Sequence, residues 1–281
     1  NKPHGTKDDP FSTYHIKNAG RSFQIPVHWH DEFEIIYVKS GSLLVSISGE
    51  NYIGKSGDVF VVSPGNLHFM GSQTGTVDYF TFLFPLKYIS FRSNDILDDK
   101  LLEPLNNGHL MISPRVKDTA KELCEQLIEI YLAKNDERES IITAQIKTKT
   151  VLLQFILEMW KKGFVTENDT SGRNTVEKEM VSYIQQNFTG TISLKEFGEQ
   201  FHLSEKYISR YFKEHFHITI SQYVTYLRLK HAKQLLQDTD IPVTEIAMQS
   251  GYQNISYFIR SFKKTYEVSP LQYRKNKLTE I

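Results

Sequence analysis

The stretch Ile192–Phe216, I-S-L-K-E-F-G-E-Q-F-H-L-S-E-K-Y-I-S-R-Y-F-K-E-H-F, decides how the chain is read. It spells two short helices parted by a sharp turn. Ser193 with Glu196 three residues on makes a capping box for the first helix, and Ser204 caps the second after the break at His202-Leu203. Along the second helix Ile208, Tyr211, Phe212 and Phe216 step at helical spacing, an apolar stripe for a core. Lys206, Ser209, Arg210 and Lys213 fall on the opposite side. A short helix with an apolar back and a front of Lys, Arg and Ser suits the DNA major groove, where such side chains reach phosphates and base edges. A solvated surface helix would carry the same charges, so one copy leaves both readings open.

A second copy favours the groove. Tyr257, Arg260, Phe262 and Lys263 repeat Tyr207, Arg210, Phe212 and Lys213 fifty positions on, whereas Glu245-Ile246 matches Glu196-Phe197 at forty-nine. The extra residue therefore sits in the turn. There the second copy has Gly251-Tyr252, and Gly takes the positive φ that a tight helix corner often needs. Between the copies Ser221–Gln237 reads as a connecting helix, with Val224, Leu227, His231 and Leu235 on one stripe. Its length of about 25 Å is compatible with readers entering successive major grooves roughly 34 Å apart.

With 281 residues the chain is long enough for two or three domains, and at 40% hydrophobic it can bury a sizeable core. The net charge is zero overall but uneven: residues 175–281 carry 14 Lys and Arg against 11 Asp and Glu, a net of +3 that leaves −3 for the remainder. Cys124 is alone, which rules out a disulfide within the chain and suits a reducing cytoplasm. No run approaches ~18 uninterrupted apolar residues, and the polar start is no signal peptide. A cytoplasmic protein with no membrane partner is expected. The missing initiator Met implies that the numbering begins within a longer or processed chain.

From Phe11 to Pro85 the texture is short β-rich runs, Phe33–Lys39, Leu43–Ser48, Asp58–Val62 and Val77–Phe84, with Ser40-Gly41-Ser42 and Ser48-Gly49-Glu50 as hairpin turns. Short strands at close spacing predict a sandwich or barrel. Within them lies His28-x-His30-x3-Glu34-x6-Gly41, then Gly57-x6-Pro64-Gly65-x2-His68. His28, His30 and Glu34 share parity and so point to one face where the backbone is extended. The pattern resembles the two cupin motifs, in which three His and one Glu hold a divalent metal inside a small jelly-roll barrel. Imidazole and carboxylate suit Zn, Fe, Mn, Ni or Cu; the same polar residues in a barrel mouth also suit an organic ligand through hydrogen bonds. The reading carried forward is a ligand pocket of His28, His30, Glu34, His68, Asp78 and Phe80, with no cofactor, and a metal on His28, His30, Glu34 and His68 as the alternative. Asp78, Phe80 and Phe82 alternate, so an acid and a ring would share the interior, which suits a sugar.

Residues 86–114 read as irregular. Two helices follow, one striped by Val116, Ala120, Leu123, Leu127 and Tyr131, the other by Ile142, Ile146, Leu153, Ile156, Leu157 and Trp160. The second stays apolar long enough to meet a partner subunit as well as the barrel. Gly163–Arg173 reads as a linker. Asn174 with Glu177 then caps a helix whose stripe is Val176, Met180, Ile184 and Phe188, and near the end a helix restarts at Ser269-Pro270.

From Asn174 onward, and most closely over Glu245–Arg274, the chain resembles the DNA-binding domain of the AraC/XylS family of bacterial transcription regulators. The resemblance implies a multidomain α+β protein: a cupin-like, ligand-sensing jelly-roll barrel (1–114), a helical dimerisation segment (115–162), a linker (163–173) and an all-α domain with two helix-turn-helix motifs (174–281). It implies groove-facing positions at Lys206, Ser209 and Arg210 and at Ile255, Ser256, Ile259 and Arg260, with Lys213 and Lys263 continuing the basic faces. It further implies a non-enzymatic regulator acting as a homodimer on operator DNA, with a small-molecule effector such as a sugar and RNA polymerase as partner. Two departures stand out. Where the family closes each recognition helix with Gly, this chain has His217 and Glu267, so both helices are expected to end by another route. Ile259 cannot hydrogen-bond, so direct readout by the second motif is expected to be the weaker. A metal-dependent cupin enzyme, or a barrel that only scaffolds a dimer, are the competing functions.

Overall fold

One long strand, β3 (Phe33–Ile47), organises the first half of the protein. The computed structural model describes residues 5–6, 8–19, 22–72, 75–91, 95–136, 138–168, 174–216 and 218–279. It divides the chain into two units, Asn1–Thr175 and Val176–Ile281. The first unit also holds β1 (Ser12–Ala19), β2 (Phe23–His28), β4 (Glu50–Lys55), β5 (Val59–Val62), β6 (His68–Ser72), β7 (Thr76–Phe84), β8 (Leu110–Ile112) and β9 (Arg115–Lys117), all but β8 in one sheet with β3. The first half of β3 pairs antiparallel with β5 and β7, in the order β1-β7-β3-β5-β9; its second half pairs with β4 and β6, and β6 with β2.

The hairpin expected at Ser40-Gly41-Ser42 is therefore absent, and the strand runs straight on. A register shift between Val38 and Ser40 bends it, and Gly41, at φ +83°, carries it from one sheet to the other. A Cβ at Gly41 would lie 2.0 Å from the Thr76 carbonyl oxygen, so only glycine fits this corner. Ser48-Gly49 does form its hairpin: Ile47 pairs with Glu50 across a two-residue loop with φ of +51° and +86°, both positive as a type I′ turn requires.

Because β3 is covered on both faces, Phe33 to Val38 are all buried. Ile36 and Val38 join Leu43, Val45, Met70 and Tyr79 between the sheets. Phe33, Ile35 and Tyr37 join Phe80, Phe82 and Phe84 against two helices, α2 (Lys121–Asn135) and α3 (Ile141–Lys161).

Several sequence readings change here. Val116 belongs to β9 rather than to α2, which starts at Lys121. Residues 86–114 are not wholly irregular: a helical segment, Asp98–Leu102 running into α1 (Glu103–Asn106), buries Leu101, Leu102 and Leu105. The linker is shorter than expected, since β10 (Val165–Glu167) pairs with β8 and Phe164 packs on the first unit's core. Its polar, glycine-punctuated composition hid the β-branched Val165-Thr166 pair; residues 169–173 lie outside the described ones.

The second unit is helical: α4 (Asn174–Asn187), α5 (Leu194–Gln200), α6 (Glu205–Phe216), α7 (Ile220–Asp238), α8 (Val243–Gln249), α9 (Ile255–Tyr266) and α10 (Pro270–Thr279). On α4, Met180 and Ile184 of the expected stripe are buried and Val181 joins them, whereas Val176 is exposed and Phe188 half-buried; the Asn174 side chain is outside the described ones. The connecting helix α7 opens with a Thr219–Gln222 capping box and spans 19 residues, about 28 Å at 1.5 Å per residue. Its buried residues are Ile220, Tyr223, Val224, Leu229, Ala232 and Leu236, whereas Leu227, His231 and Leu235 are only half-buried. The single expected stripe fails because α7 is packed on by α6 early and by α8 and α10 later.

Candidate nucleic-acid interface and effector site

Each helix-turn-helix is assembled from local signals. Ser193 Oγ accepts from Glu196 N–H at 3.3 Å to start α5, and Ser204 Oγ accepts from Tyr207 N–H at 3.3 Å to start α6. In the second copy Asn254 Oδ1 accepts from Tyr257 N–H at 2.8 Å to start α9. The apolar backs are sealed: Ile208 and Phe212 on α6, and Phe258 and Phe262 on α9, are fully buried. On the fronts Lys206, Arg210 and Lys213 are exposed, as are Ile255, Ser256, Ile259, Arg260 and Lys263; Ser209 is half-buried. Arg210 reaches only a loose pairing, 3.8 Å to Glu214, and lies 5.5 Å from the Tyr207 ring centre. Exposed pairs of that kind contribute little, so the guanidinium is available to a ligand.

The two recognition helices border one groove of about 900 Å³, with Ser209 of α6 on it and Asn254 and Tyr257 at the head of α9. Thr189, Thr191, Thr219, Ser221 and Thr225 add hydroxyls to its lining. Three residues there had not been singled out as functional. Tyr257 and Met248 are 50% and 70% exposed; the repeat of Tyr207 at Tyr257 was the available signal. Arg228 donates to the carbonyls of Phe188 and Gly190, each at 2.7 Å, and lies over the Tyr252 ring, tying the loop before α5 to the turn before α9.

The helix ends depart from expectation at one place. Glu267 takes the left-handed conformation itself, φ +66°, and its N–H reaches the Lys263 carbonyl. The chain thus keeps the glycine-type cap without the glycine, at a cost of about 1–2 kcal/mol. His217 lies outside the described residues.

In the first unit, four of the six residues expected to form a pocket come together. His28 ends β2 and pairs with His68 at the start of β6; His30 follows in the loop, and Glu34 is the second residue of β3. His30 Nε2 lies 3.1 Å from Glu34 Oε2 and His68 Nε2 3.0 Å from the same oxygen. The His68 contact is not aligned as a hydrogen bond, and that buried nitrogen has no partner. Each ring is anchored from behind: Nδ1 of His28, His30 and His68 donates to the carbonyl of Pro26, Glu32 and Asn66 at 2.9, 3.0 and 2.9 Å. Burial works against ionising Glu34, but the two imidazoles beside it outweigh burial and hold its carboxyl well below the usual range. Burial likewise opposes charge on His30, yet Glu34 raises its pKa; burial and the neighbouring His68 lower that of His28.

Asp78 and Phe80 do not join this cluster. The register pairs Tyr37 with Phe80 and Val38 with Tyr79, so Phe80 shares the face of Tyr37 and Ile35, opposite to that of Glu34. There Asp78 accepts from His15 at 2.8 Å, and Phe80 stacks on the His15 ring at 4.0 Å. The alternation of Asp78, Phe80 and Phe82 was correctly a shared face, but that face looks toward the helices. Tyr79, buried and with no hydrogen-bond partner for its hydroxyl, is the aromatic on the Glu34 side.

The arrangement fits a divalent cation. One donor atom from each of His28, His30 and His68 lies within 4.8 Å of the others, and carbonyl-anchored imidazoles are what metal-ligating histidines commonly show.

Residues 11–154 match the family model described as an AraC-like ligand binding domain, and residues 197–276 match one described as a helix-turn-helix domain. Similar proteins include YdiP, an HTH-type transcriptional regulator of Escherichia coli K12 (27% identity over 88% of this chain and 80% of its own). The HTH-type transcriptional activator RhaS of Pectobacterium atrosepticum is 26% identical over 89% and 87%. The melibiose operon regulatory protein of Escherichia coli K12 is 24% identical over 88% and 83%. With a sensing unit of this type joined to a paired helix-turn-helix reader, the chain belongs to the AraC family of DNA-binding transcriptional regulators.

Proposed function

We propose that the protein is a sequence-specific regulator that reads an operator as a homodimer and responds reversibly to a small metabolite, making and breaking no covalent bond. The observation that carries the DNA reading is the pair of exposed basic fronts on the repeated helices α6 and α9. Arg210 and Arg260 are the base-reading candidates, with Lys206, Lys213 and Lys263 on phosphates and Ser209 and Ser256 on either. Binding is tested on a duplex selected by the full-length protein from random sequences. Arg210→Ala should weaken that binding by roughly 1–3 kcal/mol if it pairs with guanine, and Arg260→Ala by less. Two variants that bind as tightly as the parent would remove both arginines from the interface.

The dimer reading rests on α3, where Ile142 (68% exposed), Ile146 (62%), Leu157 (47%) and Trp160 (55%) line one outward face while Leu152, Phe155 and Met159 are buried on the other. Such a stripe on a 21-residue helix suits an antiparallel copy of itself. DNA as ligand, the lone buried Cys124 and the finding that no described helix is long and apolar enough to cross a membrane favour a cytoplasmic place, with RNA polymerase as the further partner.

For the effector we favour a sugar, on the strength of a relative named as a melibiose operon regulator. The histidine cluster itself is too tightly closed for a sugar ring: His30, Glu34 and His68 are 4%, 1% and 1% exposed. A polar and aromatic cleft lined by Phe11, Thr13, Tyr131, Lys134, Asn135 and Gln145 offers about 110 Å³. That is below the ~150 Å³ known to hold benzene, so a hexose would enter only if the strand at Phe11–Thr13 shifted. Monosaccharides and disaccharides at millimolar concentration should include one that raises the melting temperature; stabilisation by none would exclude the class tested.

A further inference from the structure

We propose that Glu177, on the helix that opens the second unit, is a positioning residue for the reading arginine of the first helix-turn-helix, acting on Arg210 through Tyr211 and Tyr207. This rests on the regulator reading and deepens it by naming what holds one of the two base-reading groups in place.

The relay starts at a single bond. The Tyr211 hydroxyl donates to Glu177 Oε1, joining α4 and α6 across thirty-four positions of sequence. Glu177 stands in the first turn of α4, where a carboxylate suits the helix dipole. Its other oxygen, Oε2, is buried and has no hydrogen-bond partner. A buried carboxylate oxygen left bare is a cost, and packing alone would be served better by an apolar side chain. The one satisfied oxygen of Glu177 is the one that holds Tyr211.

From Tyr211 the path follows the helical repeat. Tyr207, Tyr211 and His215 recur every fourth residue, so their rings share one flank of α6. The Tyr211 ring stacks on His215 with centroids 4.0 Å apart, and on Tyr207 at 6.0 Å with the planes 25° apart. Tyr207 is itself exposed, so the half-buried Tyr211 beside it limits where its ring can swing. The Arg210 guanidinium lies 5.5 Å from the Tyr207 ring centre, within reach of a cation–π contact. An arginine on a helix surface otherwise samples many rotamers, and fixing one of them on DNA costs entropy; a guanidinium already laid on a ring loses less.

The second copy supplies the contrast. Fifty positions on, Tyr257 and Arg260 repeat Tyr207 and Arg210, but Ser261 stands in the place of Tyr211 and Thr265 in that of His215. Neither carries a ring, so α9 has no equivalent column along its flank. Arg260 is therefore an internal control for Arg210.

The experiment titrates the full-length protein and its variants, by fluorescence anisotropy, onto the selected duplex and onto a scrambled duplex of the same composition. Tyr211→Phe deletes one hydroxyl and keeps the ring. It should weaken binding to the selected duplex about fivefold, the strength of one ordinary hydrogen bond, and binding to the scrambled duplex far less. Glu177→Ala should do the same, and Glu177→Gln, whose amide oxygen still accepts, should restore most of the affinity. In an Arg210→Ala background Tyr211→Phe should have no further effect, whereas in an Arg260→Ala background it should keep its full effect. A loss of general stability would carry over into both backgrounds alike. Equal losses in the two backgrounds, or selected-duplex binding unaltered by Tyr211→Phe, overturn the relay. In the DNA-free protein, NMR relaxation at the arginine Nε–H groups should show Arg210 loosened by Tyr211→Phe and Arg260 not. Equal motion of Arg210 with and without the hydroxyl overturns the relay whatever the DNA result. A parent protein that binds both duplexes alike, while Arg210 still loosens, would overturn the regulator reading and leave the relay standing.

Discussion

The two helix-turn-helix copies solve the same corner with different residues. In the first, Leu203 N–H reaches the Gly198 carbonyl; in the second, Tyr252 N–H reaches the Ala247 carbonyl, the same bond forty-nine positions on. The left-handed residue of the corner is His202 (φ +55°) in one and Gly251 (φ +84°) in the other. The first copy thus puts its glycine in the helix and a histidine in the turn, and the second does the reverse.

Crowding explains the exchange. A Cβ on Gly198 would meet the Leu203 carbonyl oxygen at 2.5 Å, whereas Ala247 is accommodated fully buried. The second turn is one residue longer, Gln253 intervening before the Asn254 cap, and the added length gives the helix room for a methyl group. At the turn the crowding is inverted. A Cβ on Gly251 would lie 2.5 Å from the Thr189 carbonyl oxygen and 2.9 Å from Arg228 Nε, while His202 is exposed and its ring can turn to solvent. His incurs about 1–2 kcal/mol for the left-handed conformation, but it has space. Sequence repeats therefore need not conserve where their glycines fall, only that each crowded position is met by a small residue.

This contrast can be broken by substitution. Gly251→Ala adds left-handed strain of about 1–2 kcal/mol to overpacking of about 1–3 kcal/mol, so it should be the more damaging. Hydrogen exchange over Val243–Tyr266 in the full chain should accelerate strongly. Unchanged protection there would mean that the Thr189 and Arg228 contacts yield easily. Gly198→Ala suffers the overpacking alone, offset by about 1 kcal/mol of helix propensity. Its exchange should quicken less, and confined to Leu194–Phe216. Should Gly198→Ala prove the worse of the pair, turn length is not what separates the copies.

The reader was largely legible in sequence because its determinants are local. Caps at Ser193 and Ser204, the Ile208–Phe212 stripe and the repeat itself depend on neighbours within a turn or two. The barrel was less so. Parity placed His28, His30 and Glu34 together, but nothing local says which face Phe80 takes; that follows from its pairing with Tyr37, forty-three residues away. Ser40-Gly41-Ser42 has the composition of a turn, yet the Thr76 carbonyl beside Gly41 makes it a strand corner. Likewise Glu267 was judged by its side chain, whereas the helix end dictated the backbone.

The unbroken course of β3 makes the sensing unit vulnerable to a particular kind of error. A single added or lost codon between Ser42 and Val45 would leave Phe33–Val38 facing as before while moving Val45 and Ile47 off the face that packs between the sheets and putting Ser46 of the opposite face in their place. One backbone serves both sheets, so such a slip could not be confined by a loop; homologous chains should vary in length at Ser48-Gly49 far more readily than around Gly41.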